Sequence, residues 1–68
     1  MTNRTLPLAA MERLLKRIGA ERVSDDAKVA LRDVLEDYAE KIGTSANRFA
    51  LHAKRKTIKA KDIKLAIK

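Results

Sequence analysis

Apolar residues recur at spacings of three and four along most of this chain, and the runs break at two polar segments. Leu8, Met11, Leu14, Leu15 and Ile18 mark one face of a first helix. Pro7 suits a first helical position, where a missing N–H is no loss, and Gly19 suits the left-handed residue that ends a helix. Residues 1–5 are expected to form a flexible tail and residues 6–68 one domain. Residues 20–24 read as a loop, with Ser24 as N-cap of the next helix. Asp25 and Asp26 follow in its first turn, favoured by the positive end of the helix dipole. The second pattern is the longest: Ala27, Leu31, Val34, Leu35, Tyr38, Ile42, Ala46, Phe49, Ala50 and Ala53 form one stripe on an uninterrupted helix over residues 25–53. Residues 54–59 form a second loop, and a short helix from about Ala60 carries Ile63, Ala66 and Ile67 on one face with Leu65 beside them. The expected fold class is all-α: short helix, loop, long central helix, loop, short helix.

That central helix is too long for its chain. Its 29 positions make a rod of about 43 Å, whereas a compact 68-residue domain is only about 28 Å across. The stripe therefore needs a second chain to cover it. A domain of this size usually draws on disulfides, metals or oligomerisation. There is no Cys, and His52 is the only His, so disulfides and a zinc site of the usual N/S type are excluded and oligomerisation remains. Gly43, near the middle of the rod, costs about 1 kcal/mol relative to Ala. It is either a tolerated defect or the place where another helix crosses closely, and the flanking Ala39 and Ala46 favour the crossing.

Charge adds a partner. Sixteen Lys and Arg against nine Asp and Glu give a net charge of +7, which points to a polyanion, nucleic acid before membrane. The charge is uneven: +3 over residues 1–24, −2 over 25–53 and +6 over 54–68. The basic residues thus gather before and after the long helix, as discrete contact points. Tyr38 and Phe49 are the only aromatics, so there is no stacking platform for single strands, and duplex recognition through phosphates is favoured. No Gly-rich phosphate loop, nucleophile elbow, paired catalytic carboxylates or metal-ligand cluster occurs, so neither an enzyme, a cofactor nor a small-molecule substrate is expected. No apolar run is long enough for a membrane span or signal peptide, and a cytoplasmic protein is expected.

The strongest local signal is Arg55, Lys56, Thr57, Ile58 and Lys59, three cations and a hydroxyl in a loop between helices, suited to phosphates. This segment and others carry a resemblance. Leu6-Pro7 and Arg13 lie in the first helix, and Gly19-Ala20-Glu21-Arg22-Val23-Ser24-Asp25-Asp26-Ala27 spans the first loop. His52-Ala53, Arg55-Lys56-Thr57-Ile58-Lys59-Ala60, Asp62-Ile63 and Leu65-Ala66 follow in the C-terminal part. In these blocks the chain closely resembles the archaeal histone family over nearly its whole length.

The resemblance implies the histone fold, an obligate dimer in which two long helices cross head to tail through Leu31, Val34, Leu35, Tyr38, Ile42, Gly43 and Ala46. It sets the first loop of one copy beside the second loop of the other, with a third DNA-facing patch where the two first helices meet. By carry-over Arg22 enters the minor groove, held by the partner copy's equivalent of Thr57. Arg13, Lys56 and Lys59 contact the backbone, and Lys16, Ser24, Lys54 and Arg55 complete the DNA-binding set. Arg55 also pairs with Asp62 to hold the second loop. Phe49, His52, Asp62 and Leu65 are implied at a dimer–dimer contact, with His52 bonded to Asp62 of the neighbouring dimer; read from the pattern alone, they are two core and two surface residues. Gly19 has two readings, a helix cap and a small residue permitting stacked superhelical turns.

Two positions depart from the family. Lys54 stands where Gly is common, at a cost of about 1–2 kcal/mol if the backbone there is left-handed. Leu51 stands where relatives are often basic. No extension follows Lys68, so no regulatory tail is expected. The implied function is sequence-tolerant wrapping and compaction of double-stranded DNA by a dimer, with itself or a paralogous histone, that polymerises into nucleosome-like superhelical particles (hypernucleosomes) on the chromosome of an archaeal cell. Alternatives are a histone-fold interaction subunit of a transcription-associated complex and a small helix-turn-helix regulator.

Overall fold

The structure of the chain, a computed structural model, describes residues 5–68. They contain three α-helices and no strand: α1 over Leu8–Arg17, α2 over Asp25–His52 and α3 over Ala60–Ala66. The chain divides within α2 into two compact units, Met1–Asp37 and Tyr38–Lys68.

In the first unit Pro7 is the N-cap of α1 rather than its first helical residue. Its backbone is extended, at φ −71 and ψ 140. Its carbonyl accepts the N–H groups of Ala10 and Met11 at 3.1 and 3.4 Å. The expected tail of residues 1–5 lies outside the described residues except for Thr5. There Glu36 Oε2 accepts two N–H groups, from Thr5 at 2.7 Å and Leu6 at 2.6 Å, and ties the chain ahead of α1 to α2. At the other end of α1, Gly19 N–H donates to the Lys16 carbonyl at 3.0 Å and Ala20 N–H to the Leu15 carbonyl at 3.2 Å. This paired scheme requires a left-handed residue, and Gly19 has φ +108. A Cβ at Gly19 would meet no atom within 4 Å of this chain, so the backbone and not crowding demands glycine there. Ser24 caps α2, its Oγ accepting the Ala27 N–H at 3.1 Å. Met11 is buried, whereas Leu14 on the same helix is 40% and Ile18 80% exposed.

In the second unit α2 continues to His52, one residue short of the expected end, and Ala53 belongs to the turn. The helix closes with the scheme seen at α1: Lys54 N–H to the Leu51 carbonyl and Arg55 N–H to the Ala50 carbonyl, both 2.9 Å. Here the left-handed position is Lys54, at φ 60, the one non-glycine with positive φ among the described residues. Lys59 begins α3 in extended backbone, and Asp62, three residues on, accepts the Lys59 N–H at 2.8 Å. Lysine has no side-chain acceptor to reciprocate, so only the acidic half of a capping box is made. Ala46, Ala50 and Asp62 are the buried residues of this unit.

The expected stripe on α2 is only partly covered within one chain. Val34 is 64% and Tyr38 55% exposed. Ala53 is exposed, while Leu31, Leu35 and Ile42 are half-buried. A Cβ at Gly43 would also meet nothing within 4 Å, so no contact within the chain calls for glycine there.

The two caps give a test. Replacing Lys54→Gly relieves left-handed strain in the folded chain and loosens the unfolded one. A net gain of about 0.5–1 kcal/mol is expected, read as a higher denaturation midpoint at fixed protein concentration. Gly19→Ala, in the same hydrogen-bond scheme but at φ +108, should lose at least about 1–2 kcal/mol. A Lys54→Gly protein no more stable than its parent would sink the assignment of strain to Lys54.

Candidate nucleic-acid interface

The second loop is built around one carboxylate. Asp62 is 1% exposed. Arg55 grips it with both arms, Nη1 to Oδ2 at 2.9 Å and Nη2 to Oδ1 at 3.0 Å, and Nη1 also donates to the Thr57 carbonyl at 3.0 Å. With the Lys59 N–H added, Asp62 ties together residues 55, 57 and 59. The Arg55 guanidinium, and then the Lys59 N–H, hold the Asp62 carboxyl down at about 2 against burial, which pushes the other way. Arg55 is correspondingly pushed up, by its bond to Asp62 first. Arg55 thus differs from the rest of the expected DNA-contact set: it is turned inward, with its side chain 20% exposed. Lys54, Lys56, Thr57 and Lys59 are exposed around it. The clamp fixes the loop backbone and leaves three lysine side chains on its outside.

In the first unit Arg22 and Ser24 are exposed in the first loop, and Arg13 on α1 is exposed as well. Ser24 also serves as the helix cap, so its Oγ has a structural partner. Lys16 is half exposed and sits 3.4 Å from Glu12 one turn earlier, which tempers its charge toward a phosphate. Glu12 also receives Lys28 at 3.2 Å, and Lys28 reaches Asp25 at 3.3 Å. Lys28, then Lys16, hold the Glu12 carboxyl below its ordinary value, and Glu12, then Asp25, raise Lys28.

Phe49, His52, Asp62 and Leu65 line one open cleft of ≈ 360 Å³ together with Ala53, Arg55 and Lys61. Phe49 is 40% and Leu65 50% exposed, so neither is a core residue of this chain, and Asp62 is not a surface one. Sequence periodicity alone placed them the other way round. Asp62 already accepts three hydrogen bonds, two from Arg55 and one from Lys59. An ionised carboxylate has about four acceptor positions, which leaves one.

Residues 4–67 match the family described as histone-like transcription factor (CBF/NF-Y) and archaeal histone. The chain belongs to that family. It is 54% identical over 63 residues to a component of the archaeal histone HAN1 of Thermococcus zilligii, covering 93% of this chain and 94% of the relative. It is 43% identical over 63 residues to "Probable archaeal histone 3" of Methanocaldococcus jannaschii, with the same coverage. More distantly, it is 36% identical over 59 residues to histone H4 of Tetrahymena thermophila, covering 87% of this chain and 57% of that protein. The three helices, short, long and short, are those of a histone fold, and the family forms dimers.

Two interactions escaped the sequence reading. The Glu12–Lys16 spacing of four is a visible helix pairing, but the link from Glu12 to Lys28 needs α1 and α2 packed together. The Glu36 anchor of Thr5 and Leu6 involves main-chain donors, which no side-chain pattern reveals.

Among the described residues no group of His, Cys, Asp or Glu could hold a metal ion, and no helix is long and apolar enough to cross a membrane.

The lowered Asp62 value sets a pH dependence. The unfolded carboxyl titrates near 3.8 and the folded one at about 2. Its contribution to stability is therefore complete only above about pH 5 and is lost progressively as pH falls through 3.8 and then through about 2. Asp62→Asn should lower stability at neutral pH and flatten this part of the acid-unfolding curve. An acid limb as steep as the parent's in Asp62→Asn would show that the clamp is not its source.

Proposed function

We propose that two copies of this chain cross on α2 and that the dimer binds, wraps and compacts double-stranded DNA without reading its sequence. The observation that carries this is the clamped second loop: Asp62 fixes Arg55, Thr57 and Lys59, while Lys54, Lys56 and Lys59 project on exposed positions. Phosphates are met by a preset arrangement of cations, and no side chain here is built to read base edges. Histone-family membership supports the reading, as does the incomplete cover of Val34 and Tyr38.

In the dimer, the first loop of one copy lies beside the second loop of the other. Arg22 enters the minor groove beside Thr57 of the other copy, and Arg13, Lys16, Ser24, Lys54, Lys56 and Lys59 take the backbone. Arg55 acts by holding the loop. Leu31, Val34, Leu35, Tyr38, Ile42, Gly43 and Ala46 form the crossing, and the open space above Gly43 suits a second helix coming close. Dimers join through the cleft of Phe49, His52 and Leu65, where a neighbour's His52 takes the remaining acceptor position of Asp62. Such a contact need not close on itself, so it can extend into a superhelix along the DNA. Gly19 then permits successive turns to stack. The protein resides on the chromosome in the archaeal cytoplasm and pairs with itself or a paralogous histone.

Arg22→Ala should weaken duplex affinity about tenfold or more, since hydrogen bonds to charged groups are worth about 1.5–3 kcal/mol. Dimer stability should hardly change, because Arg22 is exposed. Undiminished binding by Arg22→Ala would remove it from the interface. Nuclease digestion tests assembly. The parent should protect DNA in a ladder of regular increments, and Leu65→Arg with His52→Ala should leave only the shortest fragment. A long ladder surviving in that variant would refute the cleft as the dimer–dimer contact.

A further inference from the structure

An acid stands among the cations that the first unit offers to DNA. On α1, Lys16 falls about 40° from Glu12 and about 60° from Arg13, at 3.6 residues per turn. The two cations assigned to the DNA backbone thus share a helix face with a carboxylate. Alone, that carboxylate would repel phosphates and compete with them for Lys16, one turn away at 3.4 Å. It is not alone. Lys28, on α2, donates from Nζ to Glu12 Oε1 at 3.2 Å, and the same ammonium lies 3.3 Å from Asp25. The Lys28 side chain is 18% exposed, against 51% for Lys16. A partly buried pair is screened by salt much less than an exposed one, so Lys28 is the partner that Glu12 keeps as ionic strength rises. Lys28 also does more than Lys16 to hold the Glu12 carboxyl below its ordinary value.

We propose that Lys28 is a positioning residue for DNA binding: by holding the Glu12 carboxylate it releases Lys16 to a backbone phosphate. Lys28 itself touches no phosphate. When DNA arrives, the Lys16 ammonium leaves Glu12 for a phosphate oxygen, and Lys28 stays on Oε1, so the acid keeps a counter-charge throughout. Without Lys28, Glu12 and the phosphate compete for Lys16 on equal terms. Asp25 gains from the same ammonium. It follows Ser24 at the end of the first loop, and Lys28 offsets its charge beside Arg22 and Ser24. The inference rests on the proposal that Lys16 meets duplex DNA, and it adds what makes Lys16 available.

The test is a double-mutant cycle on the full chain with Lys28→Gln, Glu12→Gln and both together. Each protein is checked for its denaturation midpoint and for dimers by sedimentation. Affinity is measured over a range of salt for the shortest duplex that takes one parent dimer. Lys28→Gln should weaken binding about twofold per copy, and so about fourfold per dimer, the worth of the exposed Glu12–Lys16 pair that must then be broken. Glu12→Gln should bind at least as tightly as the parent, and in that background Lys28→Gln should cost clearly less. An equal loss in both backgrounds, with a salt slope shallower by about 0.9 for each phosphate no longer neutralised, overturns the inference and makes Lys28 a direct contact. A matching loss in Lys41→Gln overturns it too, since net charge alone would then account for the effect. Should Lys28→Gln impair folding, Glu12→Gln still decides: weaker binding than the parent's sinks the proposal. A Lys16→Gln protein that binds like the parent removes Lys16 from the interface, and this inference with it. A parent that binds no duplex fails the wider reading instead.

Discussion

The long helix offers more apolar side chain than its own chain covers. Among the described residues, Met11, Ala46 and Ala50 are the buried apolar side chains, while Val34 and Tyr38 stand more than half exposed on α2. A domain of this size has little stability to spare even when its core is closed. A histone-family chain closes it with a second chain, and on the proposed reading the DNA surface follows from the same act, since each patch there combines loops of two copies. Folding, pairing and DNA binding are then linked by mass action: whatever favours the dimer also favours the folded chain.

Within the second unit a buried ion pair does what the small core does not. Replacing such a pair by apolar groups is often no worse for stability, so its value is better sought in geometry. Arg55 and Asp62 meet by two parallel hydrogen bonds, an arrangement that fixes orientation as well as distance. Next to it, Lys54 accepts a left-handed backbone that Gly19 adopts freely at the end of α1. The same hydrogen-bond scheme thus ends two helices, strained at the one beside the basic loop. There the chain carries a cation in place of a relaxed turn.

The sequence made the helices legible because their signals are local. The three-and-four spacing, Ser24, Gly19 and the polar breaks placed all three helices to within a residue or two. Pro7 was shifted by one because proline suits both the cap and the first turn. The loop cations were legible as charge, but their sorting was not: Arg55 looks like Lys56 in sequence, and only the position of Asp62 in the first turn of α3 turns it inward. The cleft shows the limit of periodicity most clearly. Phe49 and Leu65 have the chemistry of core residues and Asp62 that of a surface residue, yet their exposures are reversed. Apolar patterning records which residues seek cover without saying which chain supplies it. A buried charge is invisible until its partner is placed.

The depth of the Asp62 well has a consequence for how the protein can be regulated. A carboxylate held at about 2 stays ionised through any acidity a living cell reaches, so the frame that presents the loop lysines does not soften when internal pH drifts. On the proposed reading, the phosphate contacts that this frame would serve depend instead on the surrounding counterions. If the loop lysines meet DNA as proposed, ionic conditions and not protons set how tightly this loop holds it.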